Sequence, residues 1–510
     1  MIRHHKREQL WCFCGAVLLA TLLMTFGSMT SFLFPLHTGV DQNCFLSVAK
    51  AMLGGKVLYA DIYEQKGPLL YALHLPAALF PQGRFFGVSL VQIACWVWIL
   101  YEVYRIAKLY LSHKESLMTA AISALVIVTA FCYSRGDNAE EFCLPMVLSS
   151  LYDLLHTVQR QGDISPGRIL KNGVLAGCVL WIKFTMLGFY IGWCLLIGFY
   201  RWKQRGFLSA CGAALLVVGG MLLATLPWLI YFLVHDAIGE WMYVYFYSNI
   251  ALYPRKITIW QRIADFFAKD ILWNPVMMPV VLLGAVYHVK AKALAADFFS
   301  RWAVPVTLVF TYVFVFIGGV RYRYYLLILG AFVPFGVIAI FRMTKPLRRK
   351  YAPDCFGKIA VVGGYIAALI GAGNCLYFIG KPYSYYPQVQ FAQVMESTSN
   401  ATLLNYGFLD GGYYLMSGSP LPESDFFCKL NIPREALPLM YEEQERLITE
   451  RATDYVVIRW EFDERMEEKY SFDGLYENYR LLATAAEPHD EYCYALWKKK
   501  EQTYRSRQVK

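Results

Sequence analysis

The feature that most restricts this chain is a succession of long apolar runs, at residues 10–34, 87–106, 117–133, 142–158, 173–200, 207–234, 271–287, 302–317, 324–341 and 359–379. About 20 apolar residues in a helix cross the hydrocarbon core of a bilayer, and backbone in lipid must satisfy its own hydrogen bonds. These runs therefore read as spanning helices, and the chain as an integral membrane protein. Composition agrees: 57% of residues are hydrophobic and 17% charged, against roughly a quarter charged in soluble domains. The net charge of +10 does not point to nucleic acid. Lys and Arg gather between the apolar runs, the pattern that orients helices in a membrane.

The same rule threads the chain. Arg3, Lys6 and Arg7 precede the first run, which at about 25 residues is too long for a signal peptide's apolar region. It reads as an uncleaved span with a cytoplasmic N-terminus. Residues 37–84 then form a first outer loop, in which 69–80 is too short to cross and reads as interfacial or re-entrant. The run 173–200 has cations on both flanks: Arg168 and Lys171 before it, Arg201, Lys203 and Arg205 after it. Both ends belong in the cytoplasm, so the run must turn back on itself, and Lys183 and Gly188 mark the turn. A second outer loop, 235–270, is rich in Trp and Tyr, as expected at a membrane interface.

The expected fold is an all-α polytopic membrane core of about eleven spans over residues 1–380, with 381–510 outside. That tail is charged and broken by Pro and Gly. A helical pattern at 440–451 and short strands at 455–460, 479–483 and 494–497 make it a small α+β extracytoplasmic domain. The cysteines have no metal-ligand spacing. Cys428 and Cys493 are candidates to pair if the tail lies outside.

Ionisable groups at membrane depth are costly and are functional candidates by default. This threading gathers Asp41, Asp61, Glu64, Lys66, Arg135, Asp137, Glu140, Glu141, Lys183, Arg255, Lys256, Arg321 and Arg323 on the outer side. Several of these cations run against the orientation rule, which suggests an anion for them to hold. A phosphate at the outer leaflet suits both the Arg fork and the compact Lys charge.

The first outer loop carries the most specific pattern. Asp41 follows the first span, and residues 54–70 read Gly-Gly-Lys-Val-Leu-Tyr-Ala-Asp-Ile-Tyr-Glu-Gln-Lys-Gly-Pro-Leu-Leu. This stretch resembles the GT-C glycosyltransferases, in the branch of ArnT-like, polyprenyl-phosphate-sugar-dependent enzymes and protein mannosyltransferases. The resemblance lies in about 35 residues, with a matching apolar profile over roughly the first 380. It implies a GT-C-like core and an inverting transfer of a sugar from a polyprenyl-phosphate-linked lipid donor. The acceptor would be an extracytoplasmic cell-wall glycan, lipid glycan or protein. It also implies a general-base role for Asp41 and lipid-phosphate contact for Lys66, with Gly67 intervening before Pro68 as a common variation. Relatives often carry Asp-Glu where this chain has Asp41-Gln42, so a second carboxylate must come from elsewhere, with Asp61 and Glu64 the candidates. Lys183 matches the family's apex lysine and joins the phosphate-binding set with Arg321 and Arg323. Tyr325 beside them, with Asp137 and Glu140 in a "G-D/N-x-E"-like element, would contact substrate.

Plainer roles stand beside these. Asp41 also fits a helix N-cap, and Lys66, Arg321 and Arg323 fit headgroup anchors. Asp61 and Glu64 fit solvated loop acids, and Asp137, Glu140 and Glu141 a helix N-terminus. No metal signature stands out, and a divalent metal requirement stays open. No nucleotide-binding loop or Ser-centred elbow appears. The competing class is a transporter or flippase of a lipid-linked glycan, which would show inverted repeats and broken helices at mid-membrane. A third is a catalytically degenerate scaffold, for which Gln42 is the hint.

Overall fold

The computed structural model describes residues 2–80, 85–160, 162–253, 258–291, 297–318, 320–348 and 355–501. Arg255 and Lys256 lie outside the described residues. Among these residues six helical stretches are long and apolar enough to cross a membrane: Leu10–Gly27, Phe86–Lys108, Phe184–Arg205, Phe207–Val234, Phe298–Val315 and Arg323–Met343. The pair Trp260–Trp273 and Met277–Lys290, bent by 116°, makes a seventh if the two helices count as one broken span. The expectation of about eleven is thus not met by length and composition alone. His113–Val128, Pro166–Leu180 and Met277–Lys290 have 16, 15 and 14 residues. Ala139–Gln159 has 21 residues but carries Glu140, Glu141 and Asp153.

The apolar run 173–200 is broken, as its two basic flanks require. Pro166–Leu180 ends at Trp181, and a short turn at Phe184–Leu187 leads into Gly188–Arg205. The stretch 235–270, expected as an outer loop, is instead largely helical in its described part. Met242–Leu252 and Phe266–Asp270 are wide-turn π-helices. Its aromatic residues pack inward as well as outward: Trp241 and Tyr245 are buried, Tyr243 and Tyr247 exposed.

The C-terminal part forms a four-stranded sheet: β1 (Leu403–Asn405), β2 (Tyr455–Glu461), β3 (Tyr479–Glu487) and β4 (Tyr492–Lys499), in the order β1-β2-β4-β3. β1 runs parallel to β2, while β4 pairs antiparallel with β2 and with β3. Strand side chains alternate between faces. Val456, Ile458, Ala495 and Trp497 close a small core with Leu404, Ile448 and Leu475. Tyr455, Val457, Tyr494 and Leu496 instead join the large core that includes Phe45 and Tyr71 of the first loop.

Polar contacts fix this part to the helical core. Ser47 Oγ donates to Asp410 Oδ2 at 2.6 Å, and Tyr63 N–H donates to Asp425 O at 2.8 Å. Arg135 grips Asp490 with two hydrogen bonds of 2.8 and 2.6 Å. Cys428 is buried in hydrogen-bond contact with Cys44, while Cys493 lies in β4 opposite Trp460. The Cys428–Cys493 pairing considered from sequence is not the arrangement found.

Candidate active site

Three segments converge on a cavity of about 460 Å³. The first is the start of helix Val40–Leu53. Gly39 occupies its cap position, with no side chain capping it, and Asp41 sits in the first turn. Asp41 is therefore not the cap. An acid is favoured there by the helix dipole, and its carboxylate is left to face Lys66 Nζ at 3.8 Å and the Tyr324 hydroxyl, which hydrogen-bonds it. Gln42, in the place of the missing second acid, donates to Gly136 O and Asn138 Oδ1 at 3.3 and 3.1 Å. It ties the helix to the turn before Ala139–Gln159.

The second segment is the loop 54–67. Asp61 is exposed and accepts Val57 N–H at 2.6 Å, closing a local turn outside the cavity. Glu64 and Gln65 are buried and line the cavity with Lys66. Burial raises the Glu64 carboxyl above its ordinary range, against the pull of Lys66. Burial also opposes charge on Lys66, but the Asp41 and Glu64 carboxylates outweigh it and hold the ammonium well above its usual value.

The third segment is the helix break. Gly67 N–H donates to Ile182 O at 3.1 Å and Leu69 N–H to Trp181 O at 2.9 Å, so the loop docks on the break. A Cβ on Gly67 would stand 2.1 Å from Trp181 O, so only glycine permits this approach. The docking brings Lys66 beside Lys183. Lys183 Nζ donates to Glu140 Oε1 at 2.5 Å and lies 3.6 Å from the Tyr325 ring centre, a cation–π distance. Tyr245, Tyr253, Tyr322, Tyr324 and Tyr325 furnish aromatic wall, and Leu187, Ile191, Phe314, Val315 and Ile317 make one side apolar.

Five of the sequence-derived candidates thus line one cavity: Asp41, Glu64, Lys66, Lys183 and Tyr325. The others are placed elsewhere. Asp137 is fully buried, 3.0 Å from His74 Nε2. Glu140 is buried behind Lys183, and Glu141 accepts from Gln92, Trp96 and Tyr133 at 2.9, 2.6 and 2.8 Å. Arg321 pairs with Asp270 and, at 3.4 Å, with Asp265. Arg323 stacks 4.6 Å from the Phe131 ring centre. The cations that seemed to want an external anion mostly have a carboxylate of this chain: Arg135 with Asp490, Arg321 with Asp270, Lys183 with Glu140, Lys66 with Asp41. Of these four, Lys66 and Lys183 line the cavity.

Sequence reasoning missed the far wall. Leu409, Leu430 and Asn431 of the C-terminal part line the cavity, and Asn431 Nδ2 donates to Tyr322 OH at 3.0 Å. No local pattern marks those residues. Among the described residues no group of three or more His, Cys, Asp or Glu is arranged to hold a metal ion.

Residues 66–234 match the profile of the dolichyl-phosphate-mannose-protein mannosyltransferase family. A comparison with curated protein sequences finds no significant match. The fold is similar to that of ArnT from Cupriavidus metallidurans bound to undecaprenyl phosphate, with a TM-score of 0.61 at 14% identity, covering 96% of this chain and 98% of that one. The apo state of the same enzyme gives 0.58 at 14% identity and the same coverage. The profile thus matches about a third of the chain, and over nearly its whole length the chain shares its fold with ArnT.

Proposed function

We propose that the protein is an inverting glycosyltransferase that moves a sugar from a polyprenyl-phosphate-linked donor to an extracytoplasmic acceptor, a cell-wall glycan, a lipid glycan or a protein. The proposal includes about eleven crossings, counting the shorter helices, in the cell membrane, with a cytoplasmic N-terminus and the C-terminal part outside. One observation carries it: a carboxylate, Asp41, and two ammonium groups, Lys66 and Lys183, share a cavity with an apolar side and a tyrosine wall.

That set suits the reaction. The acceptor oxygen attacks the anomeric carbon as Asp41 takes its proton. The bond from that carbon to the phosphate oxygen breaks, and the electron pair leaves on the phosphate. Cations already in place stabilise that charge without reorganising. Lys66 is shared between the two roles: paired with Asp41 at 3.8 Å, it can turn to an arriving phosphate and leave the carboxylate free to act as base. Glu64, buried and on the cavity, is the candidate second carboxylate, in preference to the exposed Asp61.

Asp41→Asn tests the assignment. It is expected to express and unfold like the wild type and to lose transfer from a polyprenyl-phosphate-sugar donor by about 100-fold or more. Turnover within tenfold of wild type would take Asp41 out of the base role.

A further inference from the structure

Gln65 and Thr185 stand next to the two cavity lysines. Gln65 precedes Lys66 in the loop, Thr185 lies in the turn that follows Lys183, and all four residues line the same cavity. The Gln65 backbone is held on both sides: its N–H donates to Glu64 Oε1 at 2.6 Å, and its carbonyl accepts from Asn249 Nδ2 at 2.9 Å. Its side-chain Nε2 is nevertheless buried with no hydrogen-bond partner, and so is Thr185 Oγ1. Buried polar groups are seldom left unpaired, because losing water without gaining a partner is costly.

The leftover groups have a chemical sense. An amide NH₂ and a hydroxyl can both donate, and their neighbours are two ammonium groups. The cavity's carboxylates are engaged: Asp41 with Lys66 and Tyr324, and Glu64 Oε1 with the Gln65 N–H. A ligand that satisfies two spare donors between two cations is an acceptor-rich anion. A phosphate has oxygens to spare for all four.

We propose that Gln65 Nε2 and Thr185 Oγ1 donate hydrogen bonds to the phosphate of a polyprenyl phosphate, completing with Lys66 and Lys183 a four-point cradle. This rests on the reading that the cavity takes a lipid phosphate. The two residues hold the leaving group; they do not touch the acceptor's proton.

The test uses the purified full-length protein in detergent, titrated with undecaprenyl phosphate and, separately, with inorganic phosphate. Gln65→Met and Thr185→Val each remove one donor at nearly constant volume. Each is expected to raise the Kd for undecaprenyl phosphate about tenfold or more, the size of a hydrogen bond to a charged group. Thr185→Ser, which keeps the hydroxyl, is expected to bind like wild type, and the unliganded unfolding midpoints to stay together. Should Gln65→Met fail to fold, Gln65→Glu replaces the donor by an acceptor in the same shape and is expected to lose binding. A variant that binds within twofold of wild type removes its residue from the cradle. Inorganic phosphate binding as tightly as the lipid overturns the lipid assignment. A wild type that does not bind undecaprenyl phosphate at all overturns the underlying reading of the cavity instead.

Discussion

The Lys183–Glu140 pair allows structural and functional roles of one lysine to be separated. Glu140 is fully buried, its Oε1 meets Lys183 Nζ at 2.5 Å, and its Oε2 has no other hydrogen-bond partner. At an effective dielectric constant of about 20 the attraction at this distance is about 7 kcal/mol, most of it offset by the desolvation of both charges. The pair therefore adds little net stability, but either half alone is a serious defect. Lys183→Met leaves a buried carboxylate without its counter-charge and is expected to cost about 3–5 kcal/mol. The double variant Glu140→Gln/Lys183→Met removes both charges and is expected to return to within about 1 kcal/mol of wild type, roughly 3 kcal/mol more stable than Lys183→Met alone. Chemical denaturation in detergent micelles measures all three. If Lys183→Met alone is as stable as wild type, or if the double variant is no better than the single, the pair is not the electrostatic unit described. Activity of the folded double variant then decides the second question. Loss of transfer leaves phosphate binding as the role of Lys183, whereas wild-type transfer makes the lysine a structural partner of Glu140 only.

Two further outcomes follow from local geometry. Gly67→Ala places a methyl group 2.1 Å from Trp181 O, so the loop must lift from the helix break. A loss of about 1–3 kcal/mol, as for other overpacked sites, with an impaired transfer rate, is expected from thermal unfolding and turnover; an unaffected variant would remove the loop's docking as the device that aligns Lys66 with Lys183. Burial raises the Asp410 carboxyl from 3.8 to about 6. A folded state that binds the proton more tightly than the unfolded chain loses stability as pH rises through that interval, here by up to about 3 kcal/mol. Asp410→Asn is therefore expected to gain on wild type in unfolding midpoint between pH 4 and 7, and a pH-independent difference would refute the shift.

What could be read from sequence was whatever a single segment determines by itself. Apolar length marks a span without reference to any other part of the chain, and the cations on both sides of 173–200 were enough to require the break that the structure places at residues 181–183. The strands at 455–460, 479–483 and 494–497 were legible for the same reason, whereas β1, with three residues, was too short to show a period. The count of about eleven spans goes beyond what helix length and composition support, since several helices are short or, like Ala139–Gln159, carry buried acids at Glu140, Glu141 and Asp153.

The site was harder, because a buried charge advertises its cost in sequence but not the partner that offsets it. Arg135 finds Asp490 across 355 positions, and Arg321 finds Asp270 across 51; nothing local announces either pairing. The same applies to Gly67, whose need for glycine comes from Trp181. Once the partners are known, the cations divide by physical setting. Arg135 and Arg321 are held at carboxylates away from the cavity, and exchanging such a partner for a ligand would strand a charge. Lys66 and Lys183 stand on the cavity wall with carboxylates at 3.8 and 2.5 Å, where an incoming anion can reach them. That difference, rather than the number of cations on one face, is why these two lysines are the ones proposed to meet a phosphate.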